Sequence, residues 1–241
     1  MTAVPDASRT GPEHHHDHRD VTGGWLRPAV FGVMDGLVSN TALVAGVAGG
    51  GAPSDTVLLA GLAGLAAGAF SMATGEYVSV ASQTELTRAE IEIEKREIAR
   101  VPAAEEAELA AIYRSRGVDE ATAVEVARQL SRDPDQVWRV HAREELGIDP
   151  DDLPSPWTAA GSSFAAFTVG ALVPVLPYVL GAEGLLVTVV LALLALFVAG
   201  ALVSRFTDRG ALYSGSRQLL LGGAAAALTY AVGSLVGTGI G

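Results

Sequence analysis

The sequence predicts an all-α, polytopic membrane protein with five transmembrane helices and a cytoplasmic, three-helix acidic insert into which the second span continues. Of the 241 residues, 49% are hydrophobic, and the mean hydropathy is +0.35. Residues 85–152 hold 18 of the 27 acidic side chains and ten of the 16 basic ones, so they carry −8 of the net charge of −11. The flanking segments are almost uncharged, which is typical of membrane spans and not of a soluble domain.

The first segment, residues 1–24, is polar and contains Pro and Gly, which predicts a disordered tail. Its HHHDH run at 14–18 could bind a transition metal through imidazoles, or it could be an ordinary solvated tail. The first 26 residues lack the apolar core of a secretory signal, which favours a cytoplasmic N-terminus.

Five windows are long and apolar enough to cross a bilayer, which takes about 20 residues. They are Pro28–Gly50, Val57–Val80, Trp157–Leu180, Gly184–Ser204 and Leu219–Ile240. Loops are expected at 49–55, 181–184 and 204–217. The predicted domains are therefore the tail, spans 1 and 2 in 25–80, the insert in 81–152, and spans 3 to 5 in 153–241.

Arginines near the span ends predict the orientation. Two precede the first span, Arg19 and Arg27, and three lie between the fourth and fifth spans, Arg205, Arg209 and Arg217. The loops at 49–55 and 181–184 have no Lys or Arg. This places the N-terminus and the insert in the cytoplasm and the C-terminus outside.

Small residues line one side of the second span, at Gly61, Gly64 and Gly68. In lipid, such a face indicates close helix packing or dimerisation.

The insert is predicted to continue the second span to about Arg100, where Val101-Pro102 ends the helix. A second helix runs from Ala103 to Arg116. A third region begins at Asp119, and within it Asp133-Pro134 forms an N-cap that opens the final helical segment to Leu146.

Polar and sulfur-bearing residues within the spans suggest an ion path. Asp35 lies inside the first span, where a charge costs at least about 2.5–3.5 kcal/mol and usually faces water or a partner. Met72 and Glu76 share one face of the second span at i and i+4. Met34 could add a second sulfur, and Asn40 adds an oxygen one turn further along. Thioethers beside carboxylates favour a borderline-soft divalent ion over Ca²⁺ or Mg²⁺.

Carboxylates recur at helical spacing on the cytoplasmic side. They form a stripe after the second span, a pair on the next helix, and a terminal group that includes an imidazole: Glu90, Glu94 and Glu97; Glu105 and Glu108; His141 and Glu145. A solvated acidic face is the ordinary interpretation of such a charge run. Because several stripes lie on helices expected to pack together beneath Asp35, we interpret them as metal ligands.

Several function classes are disfavoured. The acidic pI, about 4.8, provides no basic face for nucleic acid. The chain has no cysteine, hence no disulfide framework and no thiolate chemistry. No nucleophile elbow, HExxH or phosphate loop is present, so we do not expect an enzyme.

Three motifs together resemble the vacuolar iron transporter family over about residues 26–240. They are DGLV at 35–38, SMATGEYVS at 71–79 and LVPVLPY at 172–178, accompanied by the long charged insert. The composition, rich in Ala and Gly and free of Cys, is typical of a bacterial member, which would lie in the cell membrane.

The resemblance implies a five-span homodimer that exports Fe²⁺, often Mn²⁺, from the cytosol in exchange for protons. It implies an intramembrane pair of Asp35 and Met72, and a cytoplasmic metal-binding domain whose ligands are Glu94, Glu97, Glu105, Glu108 and Glu145. Two positions depart from the plant pattern: Gly64 stands where plant members carry a Glu, and His141 and Ala142 stand where they carry methionines. Either departure could change the preference among Fe²⁺, Mn²⁺ and Co²⁺.

The expected function is therefore export of Fe²⁺, with Mn²⁺, Zn²⁺ or Co²⁺ as further cargo and no permanently bound cofactor. The expected partners are lipid, protons and a second copy of the chain. The alternative is a membrane-anchored metal sensor or buffer that binds ions and transports none.

Overall fold

The computed structural model describes residues 24–182, 184–206 and 209–240, and across these residues the chain is helical without strands. This confirms the all-α fold class. The eight α-helices of the described residues are α1 (Leu26–Gly49), α2 (Ser54–Arg100), α3 (Pro102–Ser115), α4 (Glu120–Leu130), α5 (Pro134–Glu144), α6 (Pro156–Val179), α7 (Leu185–Val203) and α8 (Ala211–Ile240). Residues 1–23 of the predicted disordered tail, with the HHHDH run, lie outside the described residues.

Five of these helices, α1, α2, α6, α7 and α8, are long and apolar enough to cross a membrane. The prediction of five spans is therefore confirmed. The predicted loop at 204–217 is wrong in its second half, because α8 begins at Ala211. Gly215 does not interrupt α8, because it packs closely against Phe197 of α7. The extra turns also pack: Ser214 is buried, and its backbone lies against Gly200 of α7.

The second span continues into the insert as one unbroken helix, as predicted. α2 has 47 residues, or about 70 Å at 1.5 Å per residue. Pro53 precedes it, and Val101-Pro102 ends it, because the residue before a proline is disfavoured in the α conformation. Tyr77 of α2 packs against Trp157 at the start of α6, with ring centroids 4.8 Å apart. This pair lies where the apolar part of α2 gives way to the charged part.

The bundle is built around α1, which contacts α2, α6, α7 and α8. Its contact with α6 is parallel and so close that the helices meet backbone to backbone. A Cβ added at Gly36 would meet the carbonyl oxygen of Phe167, and one added at Gly170 would meet that of Val33. Small residues at the crossing thus determine how closely α1 and α6 approach.

The glycine stripe of α2 packs against other helices of the same chain. Gly61 lies against Val175 of α6 and Val44 of α1, and the ring of Phe167 occupies the space beside Gly68. Helix packing within one chain is therefore the role of this stripe, and dimerisation through these glycines is not required.

The acidic insert, residues 81–152, contains the charged end of α2 and the helices α3 to α5. The third predicted region consists of two helices, since Ser131–Asp133 interrupts it before Pro134. Asp119 caps α4 by accepting a hydrogen bond from the Thr122 amide (3.1 Å), and Asp133 caps α5 through the Asp135 amide (2.9 Å). The core of the insert consists of Leu109, Ala110 and Ala127, with Tyr113, Leu130 and Val140 around them.

Candidate metal centre

A cluster of buried polar side chains lies where α2, α3 and α5 meet. α2 contributes Glu94, the first turn of α3 contributes Glu105, and α5 contributes His141. All three residues are buried, with exposed fractions of 5%, 8% and 0%. Their nearest oxygen or nitrogen atoms lie within 4.8 Å of one another, and no other group of three or more His, Asp or Glu residues in the described chain meets that condition.

The imidazole of His141 faces the carboxylates. Its Nδ1 lies 2.9 Å from Oε1 of Glu94, 3.8 Å from Oε2 of Glu145 and 4.0 Å from Oε2 of Glu105. Glu145 follows the last residue of α5 and its side chain is 34% exposed, so it lies at the outer edge of the cluster. One nitrogen and three carboxylates thus converge from three helices.

Several of these buried atoms have no hydrogen bond to any described residue. They are both ring nitrogens of His141 and Oε1 of Glu94. The short Nδ1–Oε1 distance is therefore a contact without hydrogen-bond geometry. Buried polar groups are nearly always satisfied, and an unsatisfied one costs about 1–3 kcal/mol. Of these atoms, Nδ1 of His141 and Oε1 of Glu94 face each other, and a cation could satisfy both.

The electrostatics of the cluster also favour a bound cation. Burial, followed by the charges of Glu145, Glu105, Glu97 and Glu108, raises the pKa of Glu94 to about 7. Burial is the first cause that raises the pKa of Glu105 and of Glu145, and the charges of Glu108 and Glu97 add to it, whereas the side chain of Glu94 lowers the pKa of Glu145. A divalent ion would offset this repulsion, and it would displace protons as it binds.

The pKa of His141 is lowered by burial, while the charge of Glu108 acts in the opposite direction. Lowering of the pKa keeps the imidazole neutral near pH 7. A neutral imidazole retains the lone pair that a metal ligand needs.

The remaining predicted carboxylates lie outside this buried group. Glu97 and Glu108 are exposed, but their charges act on Glu94 and Glu105, so they lie at the rim. Glu90 is exposed one turn before Glu94 and is absent from the charges that raise the pKa of Glu94. The structure therefore brings together four of the seven predicted ligands and leaves Glu90 on the surface of α2.

Two supporting residues were missed from the sequence. Arg116 forms an ion pair with the Glu144 carboxylate and donates from Nη2 to the Glu144 carbonyl oxygen at 3.0 Å. The hydroxyl of Tyr113 donates to the same carboxylate at 3.2 Å. These contacts join α3 to the end of α5, next to Glu145. Tyr113 lies in the last turn of α3 and Arg116 directly follows the helix, but nothing local identifies a partner 31 or 28 residues away.

Of the predicted intramembrane residues, Met72 packs against Phe167 of α6, and Asp35 lies next to Gly36, which faces the Phe167 backbone. Met72 is half-buried against the group formed by Ala69, Phe167 and Ala171. Asp35 is half-buried, and the next residue, Gly36, meets the Phe167 backbone. Met34 is buried in the bundle, and Glu76 is half-buried one turn beyond Met72. Asp35 and Met72 are thus placed on neighbouring helices at the level of Phe167.

Asn40 joins three helices. Its Nδ2 donates to the carbonyl oxygens of Gly61 (3.2 Å) on α2 and Ala171 (2.7 Å) on α6. Its Oδ1 is buried, is unpartnered among the described residues and points toward Gly64, where an added Cβ would lie 2.7 Å away. The Asn40 side chain therefore links α1 to α2 and α6, and its Oδ1 atom is left without a partner among the described residues.

Comparison with known proteins identifies the family of this chain. A family model described as the VIT family matches residues 26–234. The chain belongs to the VIT family. It is 34% identical over 242 residues to vacuolar iron transporter 1 of Oryza sativa subsp. japonica, covering 99% of this chain and 96% of the relative. It is 42% identical over 219 residues to a vacuolar iron transporter of Acanthamoeba castellanii, covering 89% and 79% respectively. A third relative, vacuolar iron transporter 1 of Arabidopsis thaliana, is 33% identical over 97% of the chain and 95% of its own length.

Membership of the VIT family, together with five helices able to cross a bilayer, makes this chain a multi-pass membrane protein. It confirms the family that the motifs at 35–38, 71–79 and 172–178 suggest. In this VIT protein, one member of the buried cluster, Glu94, lies on the charged extension of the helix that also carries Met72 and Glu76.

Proposed function

We propose that this VIT protein is a divalent transition-metal transporter that exports Fe²⁺ from the cytosol, with Mn²⁺ as further cargo, in exchange for protons. The observation that carries the proposal is the buried cluster of Glu94, Glu105 and His141 on α2, α3 and α5. The printed names of the relatives, vacuolar iron transporters, agree with it.

In this proposal, the insert collects the ion and α2 connects it to the membrane. Glu94 lies 18 residues beyond Glu76 on one continuous helix, about 27 Å along its axis. The ion would pass Glu76, Met72 and Asp35 on its way out. Carboxylates along the path, and those of the cluster, exchange protons for the ion because an ion binds their deprotonated form.

The proposed orientation follows from the arginines. Arg27, Arg205, Arg209 and Arg217 lie at the helix ends that share a side of the membrane with the insert, since successive spans alternate in direction. The positive-inside rule then places the N-terminus and the insert in the cytoplasm and the C-terminus outside, in a cell-membrane protein.

We include a homodimer in the proposal. Most of the apolar part of α2 is exposed in the single chain, including Leu59, Leu62, Phe70 and Val78. Asp35, Met72 and Glu76 are only half-buried. A second copy would cover the carboxyl groups of Asp35 and Glu76, which are expensive to leave facing lipid.

The test is Fe²⁺ entry into proteoliposomes with an acidic lumen, in which metal and lumenal pH are read together. Wild-type protein should take up Fe²⁺ and release protons in proportion. Asp35→Ala should abolish the flux while the protein remains in the membrane. Asp55→Ala, a matched carboxylate in the first turn of α2 outside the proposed path, should leave it unchanged.

A metal buffer is the second candidate, because the whole buried cluster belongs to the insert and includes no residue of the spans. Tight Fe²⁺ binding without flux would favour it. Wild-type flux in Asp35→Ala would refute the proposed path.

A further inference from the structure

We infer that His141 determines which metals the buried cluster prefers, so that Zn²⁺, Co²⁺ and Fe²⁺ bind ahead of Mn²⁺. The inference rests on the proposed function, in which the cluster collects the transported ion. It goes beyond that function by assigning the ranking to the Nδ1 atom of one side chain.

The position of the imidazole supports this role. His141 is fully buried, at 0% exposure, and its Nδ1 faces carboxylates from α2, α3 and its own helix at 2.9–4.0 Å. Neither ring nitrogen forms a hydrogen bond with a described residue. A histidine whose role is only to fill the core normally has its ring nitrogens satisfied.

The donor set explains the direction of the preference. The other facing groups, Glu94, Glu105 and Glu145, supply oxygen alone, which suits Mg²⁺, Ca²⁺ and Mn²⁺. Imidazole nitrogen suits Zn²⁺, Fe²⁺, Ni²⁺ and Cu²⁺, and affinity for such mixed sites rises from Mn²⁺ through Fe²⁺ and Co²⁺. Removing the nitrogen should therefore weaken binding of the later metals much more than binding of Mn²⁺.

The competing interpretation is a structural one, in which His141 and Glu94 only attract each other as a buried ion pair. In that case, replacement of His141 would alter stability and would shift all metal affinities by a common factor. The two interpretations differ in the ratio of affinities and not in their absolute values.

The experiment uses the full-length protein in detergent, with Zn²⁺, Co²⁺ and Mn²⁺ titrated in competition with a chromophoric chelator. Four of the five histidines lie in the tail at 14–16 and 18. All proteins therefore carry His→Asn substitutions at those four positions, which leaves His141 as the sole imidazole. The variants are His141→Gln, which keeps a polar side chain without the ring nitrogen, and Glu90→Gln on the exposed face of α2 as the control.

His141→Gln should lower the affinity for Zn²⁺ and Co²⁺ at least about tenfold, the lower end of what losing even a supporting partner of a metal site costs. Its affinity for Mn²⁺ should fall by less than about threefold, since Mn²⁺ is well served by oxygen ligands. Glu90→Gln should change none of the three. An equal loss for all three metals in His141→Gln would overturn the inference.

A second measurement needs no substitution at the site. Pulsed electron paramagnetic resonance of Cu²⁺ bound to the protein that retains only His141 should show coupling to an imidazole nitrogen. Absence of that coupling would overturn the inference even if His141→Gln does not fold. Fe²⁺ flux separates the two proposals. If the protein ranks metals in this way but does not transport Fe²⁺, the inference about His141 stands and the transport function is refuted. If it transports Fe²⁺ without this ranking, the transport function stands and the inference is refuted.

Discussion

The Nδ1 atom of His141 lies 2.9 Å from the Oε1 atom of Glu94, although the two residues are 47 positions apart in the chain. Glu94 belongs to the extension of a membrane-spanning helix and His141 to a short helix of the acidic insert. The contact joins α5 to the charged extension of α2 at the candidate metal centre. It also identifies which carboxylate of the α2 stripe is buried.

Glu94→Gln should weaken Fe²⁺ binding at least about tenfold, because the variant loses a buried anionic ligand. Glu90→Gln is the matched control, with the same substitution one turn away on the exposed face of α2. Equilibrium competition with a chelator measures both. Equal losses in the two variants would mean that the stripe acts as a diffuse acidic surface.

Glu94→Gln should also stabilise the metal-free insert at high pH. Folding raises the pKa of Glu94 from 4.5 to about 7, so this carboxyl contributes stability below pH 4.5 that is lost as the pH rises through 7. Its neutral amide replacement does not titrate. Wild-type and Glu94→Gln proteins should therefore show similar protection near pH 4.5, and the variant should be better protected at pH 8.

Hydrogen exchange of the α5 amides in chelator-treated protein measures this difference, after correction for the intrinsic pH dependence of exchange. His141 acts in the opposite direction, since burial lowers its pKa and its contribution is lost as the pH falls below 6.5. Comparing each variant with wild type at the same pH cancels that contribution to first order. Better protection of Glu94→Gln at pH 4.5 than at pH 8 would contradict the assigned cause.

Arg116→Ala should loosen the end of α5. The variant loses the ion pair with Glu144 and the bond to its carbonyl oxygen, which are partly solvent-exposed, so we expect a loss of about 1 kcal/mol. Metal affinity should fall as well, because Glu145 is the next residue. Arg128→Ala removes a comparable pair with Glu125 within α4 and should leave metal affinity unchanged. Chelator competition and exchange at α5 test both variants.

Gly170→Ala should disrupt the bundle. Its added Cβ would meet the backbone of Val33 and Leu37 in α1, and neither backbone can move without separating the helices. Overpacking of this kind costs on the order of 1–3 kcal/mol. Gly161→Ala on the same helix has open space around the new methyl group and should be neutral or slightly stabilising. Thermal unfolding in detergent compares the two. Equal melting temperatures would contradict the close α1–α6 approach.

The glycines of α2 illustrate where prediction from the sequence ends. Their spacing predicts a face for close approach, but both packing within the chain and dimerisation satisfy the pattern. The structure places Val44, Phe167 and Val175 of the same chain beside this face. Similarly, the sequence predicts a loop at 204–217, whereas Ser214 and Gly215 pack against Gly200 and Phe197 of α7 within a helix that begins at Ala211.

The sequence by itself determined the five spans, the continuous second helix, the cap at Asp133, and the family. These features depend on hydropathy, on helical period and on residues close together in the chain. The tertiary structure alone decided that Glu94 and Glu105 are buried while Glu90 is exposed, that Arg116 holds Glu144, and that the His141 imidazole points into the cluster. A period of 3.6 residues places side chains on a common face, but it does not say which face another helix covers. That depends on how α3 and α5 fold back onto α2, and the burial and the pKa values of the cluster follow from it.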